Sequence, residues 1–573
     1  MMNNISQISR YALWAIFAFA LWLNYVAWQK DYALVDALAQ AAAQHPAAAN
    51  ALDAVPGTDA SAPPAAASTP GAQAPAALAA PGSLAAVTQG FAGDAVHVRT
   101  DVLDLTLSLK GGTFTQVDLP AYAQVKGKAQ RVQLENHDSP DTLYVLQAGL
   151  TGPAGETRPN QQAIFTADQR EYTLAQGQDE LRVPLHWSEG GVSVTKEYVF
   201  RRGSYAVDID QTVSNQSASD WPATAYAQIL RNHIPVHSSM FNPNPERFAF
   251  TGPAIWDGGK YRKLKLSDEE DAHLSQEVTT GWIAALQHHF VTAVVPPKGV
   301  PFRFTMQAQG NEFALAASGP VTVVPAGGSV TFPLRVFVGP KLQAQLATSG
   351  PQLQRVTDFG HLYFIAQPLF WALSKVYDLS HNWGVAILSV TLLLKLIFYP
   401  LSEASGKSMA KMRELGPRIK NLQEQYKDDR EKLGRATMEL YTKEGANPVS
   451  GCLPILVQMP VFFAFYWVLQ ESVEMRQAPF IGWLQDLSSP DPYFILPILM
   501  AGAMFVQQKL NPAPADPVQA KVMLFMPIAM SALFAFLPSG LVLYYVANTV
   551  LGVAQQWNIN RRIHAAALAK KKI

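Results

Sequence analysis

The sequence predicts an α-helical polytopic membrane protein with six transmembrane helices and a large all-β domain outside the bilayer. Three observations carry this. Charged residues make up only 15% of the chain and hydrophobic ones 49%, against roughly 25% charged in an average soluble protein. Uncharged apolar runs occur near the start and again through the C-terminal third. Between them, 93–340 alternates in the period-2 manner of strands, broken by Gly-rich turns. The 573 residues allow several domains. A formal net charge of +0 gives no overall attraction to nucleic acid, so any charged partner surface is local. The single cysteine, Cys452, excludes an internal disulfide and any Cys-based metal cluster.

The first element is 11–28, YALWAIFAFALWLNYVAW, uncharged and flanked by Arg10 and Lys30. Eighteen helical residues span about 27 Å, close to a bilayer core. A cleaved signal peptide is the rival. The run is long for one, rich in Trp, and followed by no clear cleavage site. Residues 1–30 are therefore expected to form an uncleaved anchor. Residues 31–92 are a linker; 36–90 hold 23 Ala and 7 Pro with no Lys or Arg, a composition that buries no core.

Residues 93–345 are expected to form the β-domain. HVRTDVLDLTLSL, VSVTKEYVF, SYAVDIDQTV, PFRFTMQAQ and SVTFPLRVFV alternate, with turns at Lys110-Gly111-Gly112, Glu189-Gly190-Gly191 and Ala326-Gly327-Gly328. Many short strands with no regular helix between them predict a sandwich. His288-His289 fall in a strand-like run, where alternation would put them on opposite faces and keep them from one metal.

Residues 351–382 are apolar and aromatic, yet carry Lys375 and Asp378. Two readings stand: an amphipathic helix at the membrane interface, or a packed soluble helix. Five further apolar segments follow, at 383–401, 452–469, 493–506, 522–537 and 541–557, with a tight turn at Pro538-Ser539-Gly540. Several fall short of the roughly 20 residues of a spanning helix. They either thin the bilayer locally or belong to tilted helices with other ends. Basic residues set the orientation: 402–450 carries ten, 471–492 one, 509–521 two and 558–573 five. The positive-inside rule then places both termini in the cytoplasm and the β-domain outside.

Lys395 is the formal charge in WGVAILSVTLLLKLIFYPL. A charge at the centre of a span costs about 2.5–3.5 kcal/mol on insertion scales, which makes it a candidate functional group. Snorkelling is the rival, since the helix end is about 9 Å away. Thr391, one turn earlier, extends the polar stripe. Gln458, before Pro460, and Tyr544, Tyr545 and Asn548 punctuate later spans. Singly they read as interhelical hydrogen bonds; with Lys395 they suggest a hydrated groove. The loop 402–450 reads as two helices, interrupted at Gly416-Pro417 and restarted at Asp428-Asp429. Its stripe Met409, Met412, Leu415, Ile419 and Leu422 either packs within the hairpin or recognises partners. GxSxG, GxxxxGK[ST] and HExxH are missing, so neither an enzyme nor an ATP-driven transporter is predicted, and no cofactor or metal is expected.

Several blocks are more specific: YPLSEASGKSMAKMRELGPRI, NPVSGCLPILVQMPVFFAFYWVL, VEMRQAPFIGWLQDLSSPDPYFILPILM, FLPSGLVLYYVANTVLGVAQQ, DVLDLTLSLKGG and FIAQPLF. On these the chain resembles the YidC/Oxa/Alb family of membrane protein insertases, of the Gram-negative YidC type, over nearly its whole length. The resemblance implies a bacterial inner-membrane protein with a periplasmic β-supersandwich. It also implies a five-helix core at 383–557 around a hydrophilic groove, open to cytoplasm and lipid. A basic residue in the first core span projects into that groove. The family commonly has Arg there; Lys395 keeps the charge without the bidentate fork. The implied groove set is Lys395, Thr391, Gln458, Tyr544, Tyr545 and Asn548. The hairpin 402–450 and the tail with Arg561, Arg562, Lys570, Lys571 and Lys572 are implied contacts for substrate, Sec translocon and ribosome. The implied partners are nascent membrane proteins and the lipid bilayer, with no small-molecule substrate. Two rivals remain: a secondary transporter or channel, which needs a through-pathway and often repeats, and a tethered carbohydrate-binding or mutarotase-like enzyme, suggested only by the sandwich.

Overall fold

The computed structural model describes residues 94–152, 158–233, 249–426, 429–445, 448–510 and 517–571. The predicted first span at 11–28 and the linker at 31–92 lie outside them. The described chain divides after Thr357 into a β unit and a helical unit.

The β unit holds two sheets. The larger has eleven strands in the order Ser275–Val278, Phe302–Gln309, Glu312–Ser318, Trp221–Asn232, Tyr144–Thr151, Thr113–Ala123, Asp104–Ser108, Ala95–Arg99 and Glu171–Thr173, with Thr322–Val324 on Trp221–Asn232 and Arg131–Gln133 on Thr113–Ala123. The smaller has nine: Tyr261–Lys263, Gly252–Trp256, Trp282–Leu286, Phe290–Val295, Ser329–Pro340, Ala206–Asn215, Val192–Arg201, Glu180–Glu189 and Thr166–Ala167. The sequence alternation becomes alternate burial. Along Ala206–Asn215, Val207, Ile209 and Val213 are fully buried while Asp208, Asp210 and Thr212 face outward. A one-residue slip would reverse those faces, so the hydrophobic pattern holds the register. Glu189 pairs with Val192 across a two-residue turn, Gly190-Gly191, with φ of +60° and +79°. A hairpin turn of that kind needs two residues with positive φ, hence two glycines.

Among the polar side chains buried in this unit are Lys196 and Glu135. Lys196 donates from Nζ to the carbonyl of Gly111 at 2.7 Å and to that of Ala148. Burial lowers its pKa to about 7. Glu135 accepts from Thr292 Oγ1 of the other sheet at 2.6 Å, and burial raises its carboxyl to about 7.

His288 and His289 differ from expectation. They form the turn between Trp282–Leu286 and Phe290–Val295. Strand alternation therefore ends before them, and their rings stack at 3.8 Å instead of pointing to opposite faces. The predicted segment 351–382 also divides. Leu353 and Val356 are fully buried in the β core, so 351–357 belongs to the β unit. The helix itself starts at Tyr363.

The helical unit contains α1 (Tyr363–Ser380), α2 (Trp383–Ile397), α3 (Tyr399–Glu414), α4 (Gly416–Gln425), α5 (Arg430–Lys443), α6 (Pro448–Glu471), α7 (Ile495–Leu510), α8 (Pro517–Phe534) and α9 (Ser539–Lys571). On α1, Ala366, Leu369, Phe370 and Leu373 are buried, while Phe364, Trp371 and Leu379 are exposed. Its outer face thus mixes large apolar side chains with the exposed Lys375–Asp378 pair, 3.1 Å apart. Asn382 starts α2 by accepting from Val385 N at 3.1 Å. The apolar run 383–401 is not one straight helix. It breaks at Phe398, and α2 and α3 meet at 61°. Pro400 accounts for the break: it has no N–H to donate back to the preceding turn, and it sits in the first turn of α3, where none is needed.

No single described helix is long and apolar enough to cross a membrane; the bent pair α2 and Tyr399–Met412 passes together, and Ile495–Leu510 and Val522–Phe534 are shorter apolar helices. The six-span count therefore rests on sequence.

Candidate functional site

The predicted groove residues lie on α2, α6 and α9, and the structure sorts them into different surroundings. Lys395, half-buried, is on the last turn of α2. A Cβ placed on Gly552 of α9 would stand 3.5 Å from Lys395 Nζ and 3.3 Å from Gln507 Nε2 of α7. The missing side chain at 552 lets α2, α7 and α9 converge on the ammonium. No carboxylate forms an ion pair with Lys395 among the described residues.

Thr391 is buried, and its hydroxyl donates to Ile387 O of its own helix at 2.6 Å. Gln458 Nε2 donates to Asn548 Oδ1 at 2.7 Å and so ties α6 to α9. Tyr544 is buried and stacks on Phe465 at 4.3 Å, while Tyr545 packs on Phe534 at 4.9 Å. Gln458 and Asn548 thus form an interhelical clamp, and the two tyrosines sit in or against the helical core.

Gln507 and Gly552 were not among the sequence candidates. A signal existed: Tyr545, Asn548, Gly552 and Gln555 recur at helical spacing. The loop between α6 and α7 was also unread. Asp486 accepts from Gln477 N at 3.0 Å, Ser488 N at 2.9 Å and Ser489 Oγ at 2.8 Å. Buried Asp491 accepts from Leu496 N at 2.7 Å and Trp483 Nε1 at 3.1 Å. The start of α9 is held by this loop: Ser539 N donates to Ser489 O at 2.7 Å and Gly540 N to Leu487 O at 2.9 Å.

In the hairpin, Leu415 and Ile419 are buried against Met412, Leu440 and Tyr441. Arg418 pairs with Glu444 at 2.7 Å. Part of the predicted stripe therefore packs within the hairpin. Asp429 caps α5 by accepting from Lys432 N at 3.0 Å. At the tail, Arg561 and Arg562 are exposed, with the Arg561 guanidinium 5.6 Å over the Trp557 ring. Lys570 and Lys571 end α9, and Lys572 lies outside the described residues.

Comparison with known proteins matches residues 95–372 to the family described as YidC periplasmic domain and 375–566 to that described as 60Kd inner membrane protein. A membrane protein insertase YidC from Pseudomonas putida strain F1 is 44% identical over 478 residues, covering 82% of this chain and 85% of its own. The chain belongs to the YidC family. A YidC from Thioalkalivibrio sulfidiphilus is 46% identical over 489 residues, covering 82% of this chain and 85% of the relative. A solved structure described as an active YidC insertase with its first transmembrane domain resolved is similar at 19% identity and a TM-score of 0.36, covering 81% of this chain and 92% of that one.

Proposed function

We propose that the chain is an inner-membrane insertase. It inserts membrane proteins and helps them fold, alone or with the Sec translocon, through a polar groove at Lys395. The observation that carries this reading is an ammonium in an apolar helical run with no carboxylate partner among the described residues, with the carboxamide of Gln507 on the other side of Gly552. A half-buried cation without an anion is ready to receive one from outside. At 4 Å and an effective dielectric of 20, a substrate carboxylate gains about 4 kcal/mol there. That is comparable to the cost of placing one Asp in a span. The membrane potential contributes about 2.3 kcal/mol per charge per 100 mV and favours export of negative charge. Partition of the substrate's apolar segment into lipid supplies the rest. The scheme needs no nucleotide, cofactor or covalent step, so the protein acts as a chaperone and not as an enzyme.

In this reading the chain crosses the membrane six times. Both termini and the hairpin face the cytoplasm, and the β unit faces the periplasm, as the distribution of Lys and Arg requires. The hairpin and the basic tail meet the nascent chain, the ribosome and the translocon. The exposed Phe364, Trp371 and Leu379 of α1 lie on the bilayer surface, with Lys375 and Asp378 toward water. The deciding experiment is reconstitution of the purified protein into liposomes with one short membrane protein as substrate. Unaided insertion supports the proposal. Failure to insert, together with flux of small solutes through the empty proteoliposomes, would establish the transporter reading instead.

A further inference from the structure

The loop 472–494, which joins α6 to α7, keeps its carboxylates inside and apolar side chains outside. Between Gln477 and Phe494 the sequence carries two formal charges, Asp486 and Asp491. Both are engaged within the loop. Asp486 accepts from Ser488 Oγ at 2.6 Å and Ser489 Oγ at 2.8 Å, besides its backbone donors. Asp491 accepts from Trp483 Nε1 and Tyr493 N, each at 3.1 Å, and from Leu496 N at 2.7 Å. Leu484 and Leu487 are buried in the helical core. On the other side Ile481 is 64% exposed and Tyr493 66%, with Trp483 and Phe494 also exposed. A loop made for water shows the reverse order, with its charges outermost.

The loop is also held in place. Asn382 Nδ2, at the start of α2, donates to Phe480 O at 3.0 Å, and the Phe480 ring fills the space beside Gly384 that a Cβ there would need. Phe494 has φ of +56°, a left-handed conformation that is costly for a bulky residue. The bonds of Asp491 to Tyr493 N and Leu496 N fix the backbone on either side of it. The ring so presented is exposed, so packing within the protein does not offset that cost.

We propose that this loop is seated in lipid: Ile481, Trp483, Tyr493 and Phe494 enter the boundary between headgroups and acyl chains. Trp and Tyr beside Ile and Phe are the composition of the membrane–water boundary. A protein partner would meet a polar rim around an apolar centre, and this surface has no free charge to form one. The apolar surface continues onto α7, where Ile498 and Leu499 are exposed. Backbone chemistry sets the depth. Pro479, Pro490 and Pro492 carry no N–H, Phe480 N donates to Leu484 O at 2.8 Å and Leu487 N to Ala478 O at 3.0 Å. Irregular backbone still does not face lipid within the hydrocarbon, so the loop stops at the boundary. Because α6 runs from the hairpin at Pro448 to this loop at Glu471, the leaflet is the one opposite the hairpin. The inference needs the helical unit to sit in a bilayer and does not rest on insertion.

The test uses the full chain in lipid nanodiscs, with Cys452→Ser and one new cysteine carrying an environment-sensitive fluorophore. The sites are Ile481→Cys, Tyr493→Cys and, as an aqueous control, Lys298→Cys in an exposed turn of the β unit. Quenching is compared for nitroxide lipids labelled near the headgroup, nitroxide lipids labelled near the chain end, and a water-soluble nickel chelate. At 481 and 493 the shallow lipid label should quench severalfold more than either of the others, and at 298 the chelate alone should quench. With the probe at 493, Ile481→Asp should shift quenching toward the chelate, and Ile481→Leu should leave it in place. Both positions are exposed, so neither change opens the core. The proposal is overturned by probes at 481 and 493 that are quenched first from water. It is equally overturned by probes shielded from lipid and water alike, which would put a protein partner or a second copy on the loop, or by an Ile481→Asp variant indistinguishable from Ile481→Leu.

Discussion

The ammonium of Lys395 faces Gly552 across the helix bundle, with a separation of 3.5 Å to the point where a Cβ would stand. Ala at 552 needs shifts of only tenths of an ångström, whereas Leu occupies the space the ammonium uses. Gly552→Ala should therefore retain most insertion, and Gly552→Leu should lose it in the pattern of Lys395→Ala. That pattern is defined by charge. With zero, one or two Asp in the translocated segment of one substrate, Lys395→Arg keeps activity and Lys395→Ala loses more as Asp is added. Lys395→Glu loses most, up to the scale of about 4 kcal/mol for one pair. Insertion is measured by protease protection in proteoliposomes. Equal Ala defects across the Asp series would leave helix anchoring as the role of Lys395.

Gln458 and Asn548 form a hydrogen bond between α6 and α9. Interhelical hydrogen bonds in membranes average about 0.6 kcal/mol, with values to about 1.7. A double-mutant cycle of Gln458→Leu and Asn548→Leu should show coupling of that size in unfolding of the detergent-solubilised protein. Strictly additive effects would show that the pair contributes no stability.

The β unit should have a stability minimum near neutral pH. Glu135 has a folded pKa raised to about 7, so its contribution is complete below its unfolded value and is lost as pH rises through 7. Lys196 has a folded pKa lowered to about 7, so the folded state binds fewer protons than the unfolded one above 7, and stability returns as pH rises toward its unfolded value. Each limb has a slope of order 1 kcal/mol per pH unit. Glu135→Gln should flatten the acid limb and Lys196→Met the basic one, read from thermal midpoints of β-unit unfolding. Monotonic stability from pH 5 to 10 in the unaltered protein would refute both assignments.

Basic residues of the tail are best tested by substitution. Truncation from residue 558 would also remove Ile559, buried at 2%, and the 3.3 Å bond from Asn558 Nδ2 to the Tyr399 hydroxyl. Replacing Arg561, Arg562, Lys570, Lys571 and Lys572 by Gln should weaken ribosome co-sedimentation. It should also make binding less salt-dependent, by about 0.7–0.9 in log–log slope for each phosphate no longer neutralised. Unchanged co-sedimentation across a salt series would remove the tail from ribosome binding.

The β unit was legible because alternation is local: Val207, Ile209 and Val213 announce their face without any knowledge of partners. Its polar interior was not. Lys196 and Glu135 occupy ordinary strand or near-strand positions, and only the opposite sheet makes them buried. In the helical unit the apolar runs marked the helices, but their ends moved. Pro400 cut the first run at Phe398, and the last helix continued to Lys571. Lys395 stood out as a charge in an apolar run. Gly552 and Gln507 did not, because a glycine and a glutamine acquire meaning only from the side chain they face. Asp486 and Asp491 looked like loop solvation, since hydrogen bonding to backbone N–H groups leaves no periodic trace.

The first turn of α9 is satisfied by carbonyls of Leu487 and Ser489, made some fifty residues earlier. This sets a schedule. The seat for α9 is synthesised before its occupant, and at 5–20 residues per second the interval is about 3–10 s. During that time the loop carbonyls of Leu487 and Ser489 stand without their partners, so the newly made chain is, briefly, incompletely assembled.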